Sequence, residues 1–363
     1  MASPIPEEKK VSYQFLGRSG LKVSNLCLGC MTFGESAWGF PAQCDENLSY
    51  EILKRFAEWG GNFLDTADIY GHGKSETIVG NWLQTQPRDK LVIATKCRGN
   101  MGTDQNINNV GLSRRHITES IDRSLQRLHT DFVDLYQTHC WDDGVPLEET
   151  LRTLDDLVRV GKIRYVGVSN VTGWQLQKLV DTTQRLGLNP IISLQQQYNL
   201  ISRESELESF QVCKNEGLGV LPWSPLKQGI LTGKLTRGVK PTEGRAAWAT
   251  KIPSLSDLSD RTFDIIDVAQ DIAKQKGRSV PEVAIRWLLQ KDVVTSVIIG
   301  ARTLAQLDSN MAAANGWSLT KEEMARLDTA SDTPLGYPYE MIFRMNSDRG
   351  NPTTGNFYVK STF

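Results

Sequence analysis

Four side chains of unlike chemistry stand at or just beyond the ends of three successive apolar runs. Asp65 closes "NFLD", Tyr70 follows in the loop "TADIYG", Lys96 closes "LVIATK" and His139 closes "DFVDLYQTH". An acid, a phenol, an amine and an imidazole on one face would move a proton to or from an oxygen atom. Tyrosine is a weak acid, with an ordinary pKa of about 10. A neighbouring ammonium favours the phenolate and lowers that value. Lys96 is placed for this task, and the Asp65 carboxylate would hold the ammonium. His139 would donate a hydrogen bond to the same oxygen and orient it. Tyr70 is then the general acid, and the base in the reverse direction. Singly, each residue has a plainer explanation: Asp65 as a turn acid or helix cap, Lys96 as a solvated lysine, His139 as a core histidine bonded to backbone. The argument rests on the four together.

Gathering them requires that the three runs be neighbouring parallel strands. Eight such runs are present, over 25–28, 62–65, 91–95, 132–137, 163–169, 191–195, 219–223 and 294–299. Most are continuously apolar, as strands covered on both faces must be. Amphipathic helical stretches lie between them, among them 46–58, 115–128, 147–160 and 174–186. Eight strands with interleaved helices predict one α/β domain over 1–363, a (β/α)8 TIM barrel, whose strands all end on one face. A doubly wound sheet would want a glycine-rich phosphate loop after an early strand, and no GxGxxG is present. Two segments stand outside the eight-fold pattern. Residues 12–24 flank "GRSG" and read as a hairpin. Residues 333–363 are irregular and rich in Pro and Gly, with Tyr337, Tyr339, Phe343, Phe357 and Tyr358 predicting that they pack. A long loop over 232–253 is a candidate lid.

Composition narrows the class further. The chain has 363 residues, with 41 basic and 42 acidic side chains. This balance offers no footprint for nucleic acid and no charged tail. The N-terminus lacks an apolar signal region, and no run approaches a membrane span, so a cytoplasmic protein without a membrane partner is expected. Six cysteines are present, Cys27, Cys30, Cys44, Cys97, Cys140 and Cys213. Cys27 and Cys30 form a CxxC with no second pair, which leaves a metal site without its other ligands. Reduced thiols and no metal are expected. The remaining histidines, His72, His116 and His129, read as surface or loop residues, with the pocket rim as the lesser alternative for His72.

From "FLGRSGLKVSNLCLGCMTFG" to "IIGARTLAQLDSN" the chain resembles the aldo-keto reductase superfamily, and Asp65, Tyr70, Lys96 and His139 match its catalytic tetrad. It looks closest to the branch that includes aryl-alcohol dehydrogenase-like enzymes and potassium-channel β-subunits. The resemblance implies NADPH-dependent reduction of a small-molecule aldehyde or ketone to an alcohol, with hydride from the nicotinamide and the proton from Tyr70. It implies that the hairpin closes the barrel bottom and that the C-terminal loop folds over the substrate site. It also implies a cofactor cradle. Gly29, Cys30 and Met31 would lie beside NADPH/NADP+, near Asp65. Ser169, Asn170 and Gln195 would grip the carboxamide, and Trp223 would stack on the nicotinamide. Ser224, Leu226 and Gly229 would approach the pyrophosphate. Gly300 would admit the backbone closely, Arg302 and Gln306 would meet the 2′-phosphate, and Asn310 the adenine. Two positions depart from the family pattern: Ser309 stands where Glu is usual, weakening adenine contact, and Cys30 where Thr is frequent.

Substrate identity lives in loops. Candidate pocket residues are Met31, Phe33, Trp38, Phe40, Tyr70, Trp141 and Asp142. Trp38, Phe40 and Trp141 favour a flat or apolar partner such as an aromatic aldehyde. Arg344 and Arg349 would instead meet a carboxylate on a sugar- or keto-acid-derived aldehyde. A monomer is expected from the resemblance. A second reading from another class is a redox-sensing regulatory subunit of the channel β-subunit type, which holds NADP(H) with slow turnover and docks on a partner. A lyase using Lys96 as a Schiff base is disfavoured by the company Lys96 keeps.

Overall fold

A strand covered on both faces must bury alternate side chains in two different places. The computed structural model of the chain shows both. It describes residues 5, 10–34, 44–101, 106–235, 237–239, 247 and 258–349. A two-stranded antiparallel hairpin, β1 (Tyr13–Phe15) and β2 (Lys22–Ser24), comes first. Eight parallel strands follow: β3 (Leu26–Gly29), β4 (Phe63–Asp65), β5 (Val92–Cys97), β6 (Val133–Thr138), β7 (Ile163–Ser169), β8 (Ile191–Gln197), β9 (Gly219–Trp223) and β10 (Val297–Ile299). They pair in chain order from β3 to β9, and β10 pairs with β3. The ring closes through a parallel bridge between Val220 and Val294, with Thr295 N–H donating to the Val220 carbonyl. This is the (β/α)8 TIM barrel expected, and its register brings Asp65 beside Gly29 and Lys96 beside Gln137.

The interior and exterior of the ring are separate cores. Cys27, Phe63, Val92, Ala94, Leu135, Ile192, Leu221 and Ile298 cluster with Leu16 and Val23 of the hairpin. Their strand neighbours, such as Leu64, Ile93, Tyr136, Val220 and Ile299, pack outward against the helices. The hairpin therefore closes the ring from below, as the resemblance implied. Gly17 turns it with φ +57, and a Cβ there would lie 2.4 Å from the Ile192 carbonyl oxygen, so only glycine fits. Cys27 and Cys30 fall in different places, one inside the ring and one in the outer core, so the CxxC thiols do not converge.

The interior changes character from bottom to top. Phe63 gives way to Asp65, Val92 and Ala94 to Lys96, and Leu135 to Gln137 and His139. Period-two alternation carries each polar residue inward on the heels of an apolar one. The sequence placed Lys96 just past a strand ending at 95. The strand instead runs to Cys97, because the Cys97 side chain packs in the outer core and pairs in register with Thr138. Three helices matter for the site. α1 (Glu46–Glu58) packs outside β3 and β4; α2 (Lys74–Leu83) follows the Tyr70 loop directly; α3 (Arg114–Leu128) begins at Ser113, whose hydroxyl accepts from His116 N–H. His116 is buried on α3, against the expectation of a surface residue, because its position lies on the apolar stripe with Ile117 and Ile121. His72 and His129 are exposed.

The C-terminal segment forms a short helix, Tyr339–Met345, where irregular chain was expected. Tyr339 Oη donates to Glu208 Oε1 at 2.6 Å. Tyr337 is 87% exposed and does not pack as expected, since it sits in the loop before that helix with no partner surface among the described residues. Phe357 and Tyr358 lie outside the described residues, as does most of the 232–253 loop. Within that loop, Arg237 pairs with Asp260, Asp264 and Asp267 of the helix Asp260–Lys276.

Candidate active site

Lys96 is the centre of the constellation. It is fully buried, and its Nζ donates to Asp65 Oδ2 at 2.6 Å, to the Thr66 carbonyl at 2.7 Å and to Tyr70 Oη at 3.2 Å. A buried ammonium is tolerable only when its charge is paired and its protons are used. Here all three protons are placed. The partners raise the Lys96 pKa against a desolvation that would lower it, so the group stays charged. Asp65 Oδ1 accepts from Gln195 Nε2 at 2.8 Å and from Gln137 Nε2 at 3.1 Å. The carboxylate is thereby held on both oxygens.

Tyr70 opens a tight turn, Tyr70–Gly73, in which Gly71, His72 and Gly73 all take positive φ, and which leads into α2. Its ring stands edge-on to His139, with centroids 5.7 Å apart and planes at 79°. Burial is the largest influence on its phenol and raises the pKa, while Lys96 pulls it down. From sequence the Lys96 ammonium was expected to lower the Tyr70 pKa. Burial outweighs it, and Tyr70 keeps its proton at neutral pH. His139 is pushed the other way, down to about 3, by burial first and then by the charges of Lys96 and Arg98. A neutral imidazole offers one ring N–H as a donor and no acidic imidazolium. The arrangement thus contains one protonated phenol, one neutral donor and one fixed positive charge, which suits delivery of a proton to an oxygen.

The proposed cradle residues surround this centre unequally. Ser169 is fully buried at the end of β7, and its hydroxyl has no partner. Gln195 uses its amide nitrogen on Asp65 and on Gln137 Oε1 at 3.2 Å. Asn170, at φ +54, ties the site together: its Nδ2 donates to the His139 carbonyl at 2.8 Å, and its Oδ1 accepts from Trp223 Nε1 at 3.2 Å. Beyond Trp223, Ser224, Lys227, Gln228 and Gly229 all take positive φ, an irregular backbone with Leu226 half-buried within it. A Cβ added at Gly229 or Gly300 would meet nothing within 4 Å, so both border open space. Gln306 Oε1 accepts from Arg302 N–H at 2.9 Å, and the Arg302 guanidinium makes no ion pair among the described residues. Asn310 is buried and donates to the Gly300 carbonyl at 3.1 Å, and Ser309 shares a hydroxyl contact with Ser279. An orphaned serine, open backbone and a free guanidinium fit a group with an amide at one end and phosphate at the other.

Other expected residues fall elsewhere. The Cys30 thiol is fully buried and packs in the outer core, close enough to Asp65 and Lys96 to feel their charges. Phe33 is fully buried in the same core. Gly29 and Met31 are half-buried beside Asp65, whose carbonyl accepts from Cys30 N–H. The Asp142 carboxylate ties Leu112 N–H and Gly144 N–H. Arg344 and Arg349 are exposed. Trp38 and Phe40 lie outside the described residues. Trp141 is half-buried and meets Trp174 edge-on at 5.7 Å. Gln137 and Trp174 were not singled out from sequence. Gln137 carried a signal, a polar residue two positions past inward-facing Leu135; Trp174 carried none beyond its helical spacing.

Known proteins share this organisation across most of the chain. Residues 25–332 match the model of the "Aldo/keto reductase family". The chain is 36% identical over 337 residues to a versiconal hemiacetal acetate reductase of Aspergillus parasiticus, covering 88% of this chain and 96% of that one. It is 35% identical to the uncharacterized oxidoreductase YrpG of Bacillus subtilis, covering 90% and 98%, and 30% identical to norsolorinic acid reductase B of Dothistroma septosporum, covering 95% and 88%. Since the likeness runs over the whole barrel and not over one motif, the chain belongs to the aldo/keto reductase family, and its general chemistry is carbonyl reduction.

Proposed function

We propose that the protein is an NADPH-dependent reductase of small aldehydes or ketones, with Tyr70 as the proton donor. The observation that carries this reading is the Lys96 ammonium shared between Asp65 and the Tyr70 phenol inside the closed ring. NADPH, when bound, supplies a hydride to the carbonyl carbon. Ser169 and the Gln195 amide would hold its carboxamide, Trp223 its ring, the Ser224–Gly229 backbone its pyrophosphate, and Arg302 and Gln306 its 2′-phosphate. The chain does the rest. His139, neutral, donates to the carbonyl oxygen and positions it against Tyr70. Tyr70 transfers its proton to that oxygen. Lys96 stabilises the phenolate left behind, and Asp65 keeps Lys96 from drifting toward the new charge.

Trp141 and Trp174, two residues past His139 and at the start of the helix Gly173–Arg185, offer an aromatic wall. This supports a flat aromatic aldehyde over an anionic one, since Arg344 and Arg349 are exposed in the C-terminal segment. Two relatives are named for reducing versiconal hemiacetal acetate and norsolorinic acid. The test is NADPH oxidation with a panel of aromatic and carboxylated aldehydes, for wild type and Tyr70→Phe. That substitution keeps the ring and removes the proton, so kcat should fall by roughly 10²–10⁴. Undiminished turnover in Tyr70→Phe would remove the tyrosine from its role, and binding of NADPH without turnover on any carbonyl would favour the regulatory reading.

A further inference from the structure

Directly behind the tetrad, between the barrel wall and the helices, lies a second ionisable cluster that proton transfer at Tyr70 does not use. Asp68 sits in the four-residue loop between Asp65 and Tyr70. It is fully buried, and among the described residues neither carboxyl oxygen has a well-formed hydrogen bond, the backbone N–H of its neighbour Ile69 being the one donor that bears on it, although its own backbone N–H reaches the Lys96 carbonyl at 3.2 Å. Glu76, on α2, is also fully buried but well satisfied. Its Oε1 accepts from Thr95 Oγ1 at 2.5 Å and its Oε2 from Arg127 Nε at 2.7 Å. Two buried carboxylates therefore face one arginine, and the arginine is committed to Glu76. An ionised carboxylate with no side-chain donor of its own in such a place is strongly disfavoured, and a second negative charge nearby disfavours it further.

We propose that Asp68 is a positioning residue: a carboxylic acid kept uncharged beneath the Thr66–Tyr70 loop, whose ionisation puts a second negative charge behind the tetrad and shuts the centre down at alkaline pH. The proposal rests on Tyr70 acting as the acid. Around Asp68 stand Glu76 from α2, Arg127 from α3, Lys96 and Cys97 from β5, and the buried Tyr136 phenol from β6, which lies against the Cys97 thiol. Burial, and after it the Glu76 charge, pushes the Asp68 carboxyl up to about 8, while the Ile69 backbone N–H, Arg127 and Lys96 pull it down. The Cys97 thiol and Tyr136 phenol are both held above their ordinary values and stay neutral through this range. Tyr70, also raised, has not begun to ionise there. An Asp68 charge would oppose the phenolate that Tyr70 must become after giving up its proton, and would compete with Asp65 for the field of Lys96.

Two readouts test this. Infrared spectra of the intact protein at neutral pH should show the carbonyl stretch of a protonated carboxylic acid that fades as pH rises through about 8 and is missing in Asp68→Asn. In the pH profile of kcat for reduction, wild type should lose activity about tenfold by pH 9, one unit beyond the midpoint. Asp68→Asn, whose neutral amide mimics the acid, should keep its activity to higher pH. Glu76→Gln removes the repelling charge and releases Arg127, so its alkaline limb should move to lower pH. An alkaline limb unchanged in both variants, or a protonated-acid band that survives in Asp68→Asn, overturns the proposal. The infrared result stands apart from turnover, so a failure of Tyr70 as the acid would appear in Tyr70→Phe kinetics without altering the band.

Discussion

Gln137 shows how much of a catalytic centre is decided one residue away from the groups that react. Its amide donates to Asp65 Oδ1 at 3.1 Å while its own oxygen accepts from Gln195. Lys96 occupies Asp65 Oδ2, so the two glutamines fix the rotation of the carboxylate and, through it, the ammonium. Gln137→Leu removes one donor from a buried carboxylate, a loss of about 1–3 kcal/mol. The expected result is a drop in kcat of roughly tenfold or somewhat more, with KM for the carbonyl little changed. Steady-state kinetics on the variant decide it; a pure KM effect would mean that Gln137 contacts substrate. The four side chains that meet around Lys96 were legible in sequence because unlike polar side chains at strand ends are conspicuous. Gln137 was not, since glutamine in a strand has no single meaning until its neighbour across the sheet is known.

At the scale of elements, the barrel divides its labour between its two ends, as parallel barrels do. The hairpin plugs the lower end with Leu16 and Val23, both fully buried against Phe63, Val92 and Leu135. Lys96 and Asp65 occupy the upper layers of the same ring. Leu16→Ala should therefore cost about 2–5 kcal/mol of stability through the cavity it leaves. The kcat measured below the unfolding transition should be unchanged. A denaturant titration beside an activity assay separates the two, and a fall in kcat comparable to that of a tetrad variant would deny the division. The hairpin was visible in the sequence from its turn residues. Its function as a plug came only from the resemblance, because nothing local says which end of a ring a hairpin will meet.

For the whole molecule, buried titrating groups make folding sensitive to pH in two directions. His139 carries a folded-state pKa near 3 against an ordinary 6.5, so protonation disfavours the native state. Its contribution is lost as pH falls from about 6.5 toward 3. Asp68, raised from 3.8 to about 8, acts oppositely: the native state holds a proton that the unfolded chain has released. That part of the stability is present at low pH and disappears as pH rises through about 8. The two slopes oppose each other in the acid range, leaving a decline between about 6.5 and 8. Denaturation midpoints measured across pH should show that decline in wild type and a flatter curve in Asp68→Asn. Equal slopes in the two proteins would mean that Asp68 is already ionised when folded.

The barrel and the four side chains proposed to react could be read from the sequence. Eight apolar runs separated by amphipathic helices admit few other packings, Asp65 and Lys96 sit where strand alternation turns them inward, and Tyr70 and His139 follow in the loops at the same strand ends. The tertiary structure alone decided the balance of charge. Whether Lys96 or burial governs Tyr70, whether His139 is charged, and which of Asp68 and Glu76 receives Arg127 all depend on distances across elements far apart in the chain. Electrostatic energies in a buried site vary steeply with such distances and with desolvation. Neither quantity is written in local sequence: Asp68 and Glu76 are both ordinary acids in a polar stretch until α2 and α3 close over them.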